Sequence, residues 1–162
     1  MNIVLIEPEI PQNAGNIIRT CMATNTKLYM VKPLGFVLDD KHFKRAGMDY
    51  LKDADYTVVE SFEEIYEANK DKQFYFASTK SSKTYADVHY PEDCFIVFGK
   101  ESFGIRESLL KEHLEDCIRI PMVESARSLN LSNSVAIILY EALKQNNFNH
   151  LKNTGSLTGR ID

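Results

Sequence analysis

The sequence predicts an α/β domain with a mainly parallel sheet and helices on both of its faces. Short β-rich runs alternate with longer amphipathic runs along most of the chain, which is the pattern of repeated strand and helix units. Runs such as NIVLI and FIVF are almost continuously apolar, as in strands that are buried on both faces. The 162 residues, 44% of them hydrophobic, fit one domain with a substantial core.

The first half of the chain contains three predicted strands and one predicted helix. NIVLIEP is an apolar run that Pro8 ends, and NAGNIIRTCMAT repeats apolar residues at helical spacing. KLYMVKP and YTVVE are the next two β-rich runs, and a mixed segment around Lys41 to Lys52 separates them. This alternation agrees with the fold class.

The second half continues the alternation and ends in a tail. Ser61 and Glu64 of SFEEIYEANK form a capping box that predicts a helix start. QFYFAST and CFIVFG are predicted buried strands, RESLLKEHL an amphipathic helix, and CIRIPM a last strand that Pro121 ends. We predict a single domain over residues 1–148, and a flexible tail over residues 149–162, where periodicity is lost.

Composition excludes several classes of protein. The apolar runs are strand-sized and no signal peptide is recognisable, so we expect a cytoplasmic protein without a membrane anchor. Cys21, Cys94 and Cys117 are widely spaced and have no CxxC pair, so we expect core residues and no metal site. The net charge of -4 argues against indiscriminate binding to nucleic acid, although a local basic patch remains compatible with it.

Polar and glycine residues follow several of the predicted strands, where parallel sheets bind their ligands. Asn13 and Arg19 follow the first strand, and an Arg there can grip a phosphate, although Asn13 could simply cap the helix. Gly99 and Glu101 follow CFIVF, and Glu101 could instead cap the helix that begins near Arg106. No GxGxxG follows NIVLIEP, which makes a dinucleotide-dependent oxidoreductase improbable.

The segment ESARSLNLSNS holds more short polar side chains than helix capping requires, and an apolar run follows it. VAIILYEALK is apolar on so many sides that it must be buried on more than its sheet-facing side, either inside the domain or against a second copy of the chain. For a domain of this size a dimer is the economical solution. A separate set, Lys41, Lys44 and Arg45, shares one helical face that could track a phosphate backbone or could be an ordinary solvated face.

Three segments together resemble the motifs of the SpoU branch of the SPOUT RNA methyltransferases. They are PQNAGNIIR, FGKESFG and RIPMVESARSLNLSNSVAIILYE, in this order. The opening NIVLIEPEIPQNAGNIIRTC and LGFVLDDKHFKRAGMDY further resemble the group that methylates the wobble nucleotide of tRNA, a cytidine or a modified uridine. The resemblance runs from Asn2 to about Gln145, and Lys100 and Ser102 stand where the family commonly has Pro and Thr.

The resemblance implies a C-terminal trefoil knot that binds S-adenosyl-L-methionine. Matched by position, the cofactor-binding residues are Ala77, Gly99, Ile120 and Ser128. The residues matched to catalysis are Asn13, Arg19, Glu101 and Asn130, with Arg19 reaching across a homodimer. Tyr140 is expected in the interface of that dimer, although it could instead be an ordinary core tyrosine. In this interpretation Asn133 or Ser134 caps the last helix, which leaves Asn130 for the site.

The expected partner is the tRNA anticodon loop, which Arg19, Lys41, Lys44 and Arg45 would bind together with aromatic residues near the pocket that stack on a base. Three alternatives stay open, and one of them is an unrelated α/β phosphosugar enzyme, which would have no affinity for S-adenosylmethionine. The enzyme could methylate the 2'-hydroxyl at another position of tRNA or in ribosomal RNA. The domain could also be a non-catalytic SPOUT-like module that binds RNA.

Overall fold

The computed structural model of the protein describes residues 1–37 and 54–157. Within these residues, six strands form one sheet in the order β3-β2-β1-β5-β4-β6, and all the pairings between strands are parallel. This confirms the predicted parallel sheet. The strands are β1 (Asn2–Ile6), β2 (Lys27–Val31), β3 (Tyr56–Val59), β4 (Phe74–Ala77), β5 (Phe95–Phe98) and β6 (Cys117–Ile118).

Four helices of the described residues cover the two faces of the sheet. Their bounds are α1 (Pro11–Ala23), α2 (Phe62–Ala68), α3 (Glu107–Glu112) and α4 (Leu131–Gln145). Apolar residues of α1 and α4 share one buried cluster, and those of α2 and α3 share the other. The prediction of helices on both faces is therefore confirmed.

Side chains along β1 alternate between the two faces of the sheet, so this one strand contributes to both buried clusters. Ile3 and Leu5 belong to the cluster beneath α1 and α4, whereas Val4 and Ile6 belong to the cluster beneath α2 and α3. Successive side chains of a strand point to opposite faces, so a continuously apolar run is needed where both faces are covered. The central position of β1, between β2 and β5, imposes this requirement.

The start of α2 agrees with its local signal, whereas the last strand ends earlier than predicted. The hydroxyl of Ser61 accepts a hydrogen bond of 3.4 Å from the backbone N–H of Glu64, as the capping box predicted. The last strand is shorter than CIRIPM, because Arg119 leaves β4 and exchanges hydrogen bonds with Lys83 and Tyr85 instead.

The remaining expectations from composition concern the cysteines, the membrane and the tail. All three cysteines are buried, as expected for core residues. No helix of the described residues is long and apolar enough to cross a membrane. In the segment predicted to be flexible, Asn149 donates a hydrogen bond to Glu92 and Leu151 packs against the core, so its first residues contact the domain.

Candidate functional site

A cleft of about 570 Å³ opens at the carboxyl edge of the sheet, between the loops that follow β1, β4, β5 and β6. This is the edge where parallel sheets bind ligands, and it includes the point between β1 and β5 where the order of the strands reverses. Seven of the eight residues predicted for catalysis and cofactor binding line it. They are Asn13, Ala77, Gly99, Glu101, Ile120, Ser128 and Asn130.

The other predicted residues lie elsewhere. Arg19 is exposed on α1 and does not line the cleft. Tyr140 is 47% exposed on α4, so it is a surface residue and not an ordinary core tyrosine. Lys41, Lys44 and Arg45 lie outside the described residues.

The carboxylate of Glu101 is held at the start of α1. Its Oε2 accepts a hydrogen bond of 2.8 Å from the backbone N–H of Glu9, and its Oε1 accepts from the N–H of Ile10 at 3.2 Å and from Asn13 Nδ2 at 2.9 Å. A negative charge at a helix N-terminus is stabilised by the unpaired N–H groups and the helix dipole. Glu101 therefore fastens the loop after β5 to the helix after β1, and it does not cap α3.

Asn130 links the last helix to the same carboxylate. Its Nδ2 donates to Asn13 Oδ1 at 2.9 Å, so Asn13 connects Asn130 with Glu101. Its Oδ1 accepts from the backbone N–H of Ser132 at 2.9 Å and of Asn133 at 3.3 Å, which makes Asn130 the N-cap of α4. The expectation that Asn133 or Ser134 caps this helix was wrong, since Asn130 caps it with its oxygen and binds the site with its nitrogen.

Asn13, unlike Asn130, does not cap a helix. Helix α1 has Ile10 at its N-cap position and Pro11 in its first turn, and Asn13 lies inside the helix at 5% exposure. A buried amide needs partners for both its oxygen and its nitrogen, and Asn130 and Glu101 supply them.

Two further carboxylates fasten the loop that carries Glu101. Glu9 accepts from the backbone N–H of Ser102 at 2.9 Å and from its hydroxyl at 2.8 Å, and these two bonds lower the pKa of Glu9 below its usual value. Glu7 accepts from Lys100 Nζ at 2.9 Å and from Arg106 Nη2 at 3.0 Å. The loop therefore has charged or polar contacts along most of its length.

The two glycines of this loop have different reasons to be glycine. A Cβ on Gly99 would lie 2.0 Å from the carbonyl carbon of Gly104 and 2.2 Å from the nitrogen of Ile105, so no side chain fits. Gly104 has open space around it but a φ of +74°, a left-handed conformation that L residues rarely adopt. The tight return of the chain is closed by a 2.8 Å hydrogen bond from Gly104 N–H to the carbonyl of Lys100.

Several residues that line the cleft were missed by the sequence analysis. Lys80 follows β4, Phe103 stands between Glu101 and Gly104, and Arg127 precedes Ser128. Lys80 and Phe103 follow the carboxyl ends of strands, a position that could have identified them. Glu9, which holds Ser102 from outside the cleft, was also missed, although it follows Pro8 soon after the first strand.

The dimensions and lining of the cleft fit S-adenosylmethionine. Clefts that bind small molecules enclose about 300–1,000 Å³ and combine apolar walls with a few polar groups. Here Ile120 and Ile138 supply apolar surface, Ser128 and Asn130 supply polar side chains, and Gly99 exposes backbone without a side chain. A flat, apolar-faced nucleoside with a polar tail matches such a lining.

Thiol chemistry has no place at this site. None of the cysteines lines the cleft, and burial raises the pKa of Cys21 and of Cys94 to about 12, which keeps both thiols protonated and unreactive. Among residues 1–37 and 54–157, no group of three or more His, Cys, Asp or Glu side chains could hold a metal ion.

Comparisons with known proteins cover nearly the whole chain. A profile of the SpoU rRNA Methylase family matches residues 1–140. The tRNA (cytidine(34)-2'-O)-methyltransferase of Methylovorus glucosotrophus (strain SIP3-4) is 45% identical over 148 residues, which are 91% of this chain and 96% of the relative.

Two solved structures resemble the fold closely. One, described as "Structural insights into the 2-OH methylation of C/U34 on tRNA", has a TM-score of 0.84 and 36% identity over 90% of this chain and 95% of that chain. The SpoU Methyltransferase AviRb from Streptomyces viridochromogenes, solved in complex with AdoMet, has a TM-score of 0.78 and 25% identity over 90% of this chain and 60% of that chain.

Proposed function

The chain belongs to the SpoU rRNA Methylase family, and we propose that it transfers a methyl group from S-adenosylmethionine to the ribose 2'-hydroxyl of nucleotide 34 of tRNA. The observation that carries this proposal is the convergence of Asn13, Glu101 and Asn130 on one cleft beside the side-chain-free backbone of Gly99. The names of relatives that match more than nine tenths of the chain supply the substrate.

The carboxyl-edge loops of β4, β5 and β6 would hold the cofactor. Backbone at Ala77, Gly99 and Ile120 would bind its adenine and ribose, and the hydroxyl of Ser128 would add a polar contact. When bound there, the cofactor supplies an electrophilic methyl group on a sulfonium. The side chains of the cleft orient the RNA and keep the loops in register, because an in-line displacement depends on proximity and alignment more than on acid and base groups.

Arg19 orients the RNA and does not accept its proton. A guanidinium has a pKa above about 12 and five N–H donors in a fixed fork, so it binds a phosphate well and is almost never neutral. Supplied by a second copy of the chain, Arg19 would grip the phosphate beside the 2'-hydroxyl, and that phosphate or a water would take the proton.

A homodimer is part of this proposal. Ile137 and Tyr140 lie one turn apart on α4 and are 37% and 47% exposed, so this helix presents apolar surface away from the sheet. Its opposite side packs into the same cluster as α1, the helix that carries Arg19. A trefoil knot also stays a proposal, and the order β5-β4-β6 at one edge of the sheet is compatible with such threading.

Methyl transfer to tRNA tests the function. Labelled S-adenosylmethionine is incubated with total tRNA, and the product is mapped by nuclease digestion and mass spectrometry. We expect label on the ribose of nucleotide 34. A stem-loop with a 2'-deoxynucleotide at that position is the matched control, since it lacks the nucleophile and should accept no label.

Other results would separate the alternatives. Label at another tRNA position or in ribosomal RNA would reject the wobble assignment and keep the family's chemistry. Calorimetric binding of the cofactor without transfer to any RNA, at enzyme excess, would favour a non-catalytic binding module.

Subunit complementation tests the origin of Arg19. Arg19→Ala and Glu101→Ala chains are each expected to be inactive as homodimers. When equal amounts of the two chains are mixed at random, half of the dimers contain one chain of each kind. If Arg19 acts across a twofold dimer, one of the two sites in each mixed dimer has both Arg19 and Glu101. About one quarter of the wild-type activity should therefore return. No recovery in confirmed mixed dimers would place Arg19 in its own subunit's site.

A further inference from the structure

Phe103 is a large aromatic residue placed at the mouth of the cleft. Its side chain is 66% exposed, and the residue lines the cleft together with Glu101. Phe103 is two positions after Glu101 in the loop, so their Cα atoms are about 7 Å apart at most. The ring is therefore next to the groups proposed to position the reacting ribose, and it makes no contribution to either buried cluster.

The backbone that carries the ring is fixed on both sides. Ser102 donates its N–H and its hydroxyl to Glu9, and Gly104 donates its N–H to the carbonyl of Lys100. Single exposed apolar side chains are ordinary on loops and need no explanation by themselves. A ring on a fixed loop differs from these ordinary side chains. Its backbone is already ordered in the folded protein, so binding a ligand costs less conformational entropy.

Cations accompany the ring. Lys80 Nζ lies 5.8 Å from the centroid of Phe103 and forms an ion pair of 2.6 Å with Glu107. Arg127 lines the same cleft, is exposed and has no ion-pair partner among the described residues. An aromatic face beside cations matches a nucleotide with an unstacked base, since the base stacks on the ring and the phosphate pairs with the cations.

We propose that Phe103 is the stacking platform for an unpaired RNA base next to the methylated ribose, with Lys80 and Arg127 meeting the adjoining phosphates. This proposal rests on the proposed function and adds the residue that holds the base. Stacking accepts any base, so Phe103 contributes affinity for an open loop and leaves the choice of sequence to other contacts.

Fluorescence provides a direct test, because the protein contains no tryptophan. Phe103→Trp introduces a single indole, and we expect a synthetic anticodon stem-loop RNA to quench its emission in a saturable way. Leu114→Trp is the matched control, since Leu114 is 64% exposed and does not line the cleft. Its emission should not change when the RNA is added.

Kinetics separate stacking from loop structure. Phe103→Ala should raise KM for tRNA about tenfold, within the range of a lost base stack, and leave kcat within about threefold. Phe103→Trp should restore KM. The dissociation constant for S-adenosylmethionine and the melting temperature should match the wild-type values in both variants.

Four results would overturn the proposal. The first is quenching of the Phe103→Trp emission by S-adenosylmethionine alone, and the second is a blue shift of that emission with rising protein concentration in the absence of RNA. The third is unchanged Phe103→Trp emission when an RNA binds, and the fourth is an unchanged KM for tRNA in Phe103→Ala. The first assigns the ring to the cofactor and the second to a second copy of the chain. Failure of the proposed function is distinguishable, since the wild type and Leu114→Trp would then also transfer no methyl group to tRNA.

Discussion

Two loops line the same cleft and are held in different ways. The 99–106 loop is fastened through the side chains of Lys100, Glu101, Ser102 and Arg106 to the segment that follows β1. The 121–129 loop makes a single hydrogen bond among the described residues, from Ala126 N–H to the carbonyl of Val123, and most of its residues are exposed. One wall of the site, the 99–106 loop, is thus fixed by contacts within the chain, whereas the other, the 121–129 loop, has few such contacts with the rest of the described residues.

Of the substitutions considered, Gly99→Ala should have the largest effect on stability and activity, because it disrupts the 99–106 loop. The new Cβ would meet backbone atoms near 2 Å, and backbone cannot rotate away as a flexible side chain can. We expect a loss of about 3 kcal/mol or more in unfolding free energy and no measurable methyl transfer. Chemical denaturation and a transfer assay measure both, and Gly104→Asn is the control, since Asn tolerates positive φ. Wild-type activity in Gly99→Ala would show that the loop can shift freely.

Glu101→Gln should weaken the hydrogen bonds that hold the 99–106 loop without introducing a steric clash. Glu101 accepts bonds from three N–H groups, so the amide NH₂ of Gln would face a donor whichever way it is turned. We expect destabilisation of about 1–3 kcal/mol, the cost of an unsatisfied polar group, and at least a tenfold fall in kcat. A stable variant with normal kcat would mean that the three bonds are dispensable.

Asn130 stands where the two walls meet, and two substitutions separate its roles. Asn130→Asp keeps the oxygen that caps α4 but sets a carboxylate oxygen against Asn13 Oδ1, so we expect a several-fold fall in turnover and a loss of about 1–3 kcal/mol from the unsatisfied buried amide. Asn130→Ala loses the cap as well, which should contribute about 1 kcal/mol of its own to the loss of unfolding free energy. Thermal unfolding and kcat measure the pair. Equal turnover in Asn130→Asp and wild type would leave capping as the whole role of Asn130.

Ser128→Ala, in the 121–129 loop, should weaken cofactor binding without affecting the fold. Ser128 is exposed and makes no hydrogen bond within the described part of the chain, so we expect the unfolding free energy to stay within about 0.5 kcal/mol. The KM for S-adenosylmethionine should rise several-fold, because the hydroxyl is proposed to contact the cofactor. An unchanged KM would remove Ser128 from the cofactor site.

Glu9 gives the smallest predicted effect, visible as a pH dependence. The bonds from Ser102 depress the pKa of Glu9 in the folded state below 4.5. The stabilisation is therefore complete above pH 4.5, the unfolded value, and is lost as the pH falls through the folded pKa. NMR titration should show the depressed pKa, and Ser102→Ala should return it towards 4.5. No shift between the two proteins would show that the Ser102 hydroxyl does not hold the carboxylate, since Ser102→Ala keeps the backbone N–H bond.

The sequence predicted most of the fold, because alternation of apolar residues and capping are local signals. Ser61 capped its helix, and buried strands were found at Phe74–Ala77 and Phe95–Phe98. The last strand was predicted at CIRIPM, but its early end at Ile118 was not, since that end depends on the hydrogen bonds of Arg119 with Lys83 and Tyr85.

The site was predicted as a set of residues but not as a set of contacts. Family resemblance identified seven residues that line the cleft. It could not reveal that Glu101 lies at the start of α1, because the partners are about 90 residues apart and only the sheet brings them together. It also treated capping and site chemistry as alternatives for Asn130, whereas one amide performs both through different atoms.

The strand order has a consequence during synthesis on the ribosome. Asn2 of the central strand pairs with Phe95, which is translated 93 residues later, or roughly 5–19 s at 5–20 residues per second. Throughout that interval one edge of β1, with Ile3, Val4 and Leu5, has no partner strand and can pair with other chains. The nascent N-terminal half is therefore a candidate for chaperone binding until β5 leaves the ribosome.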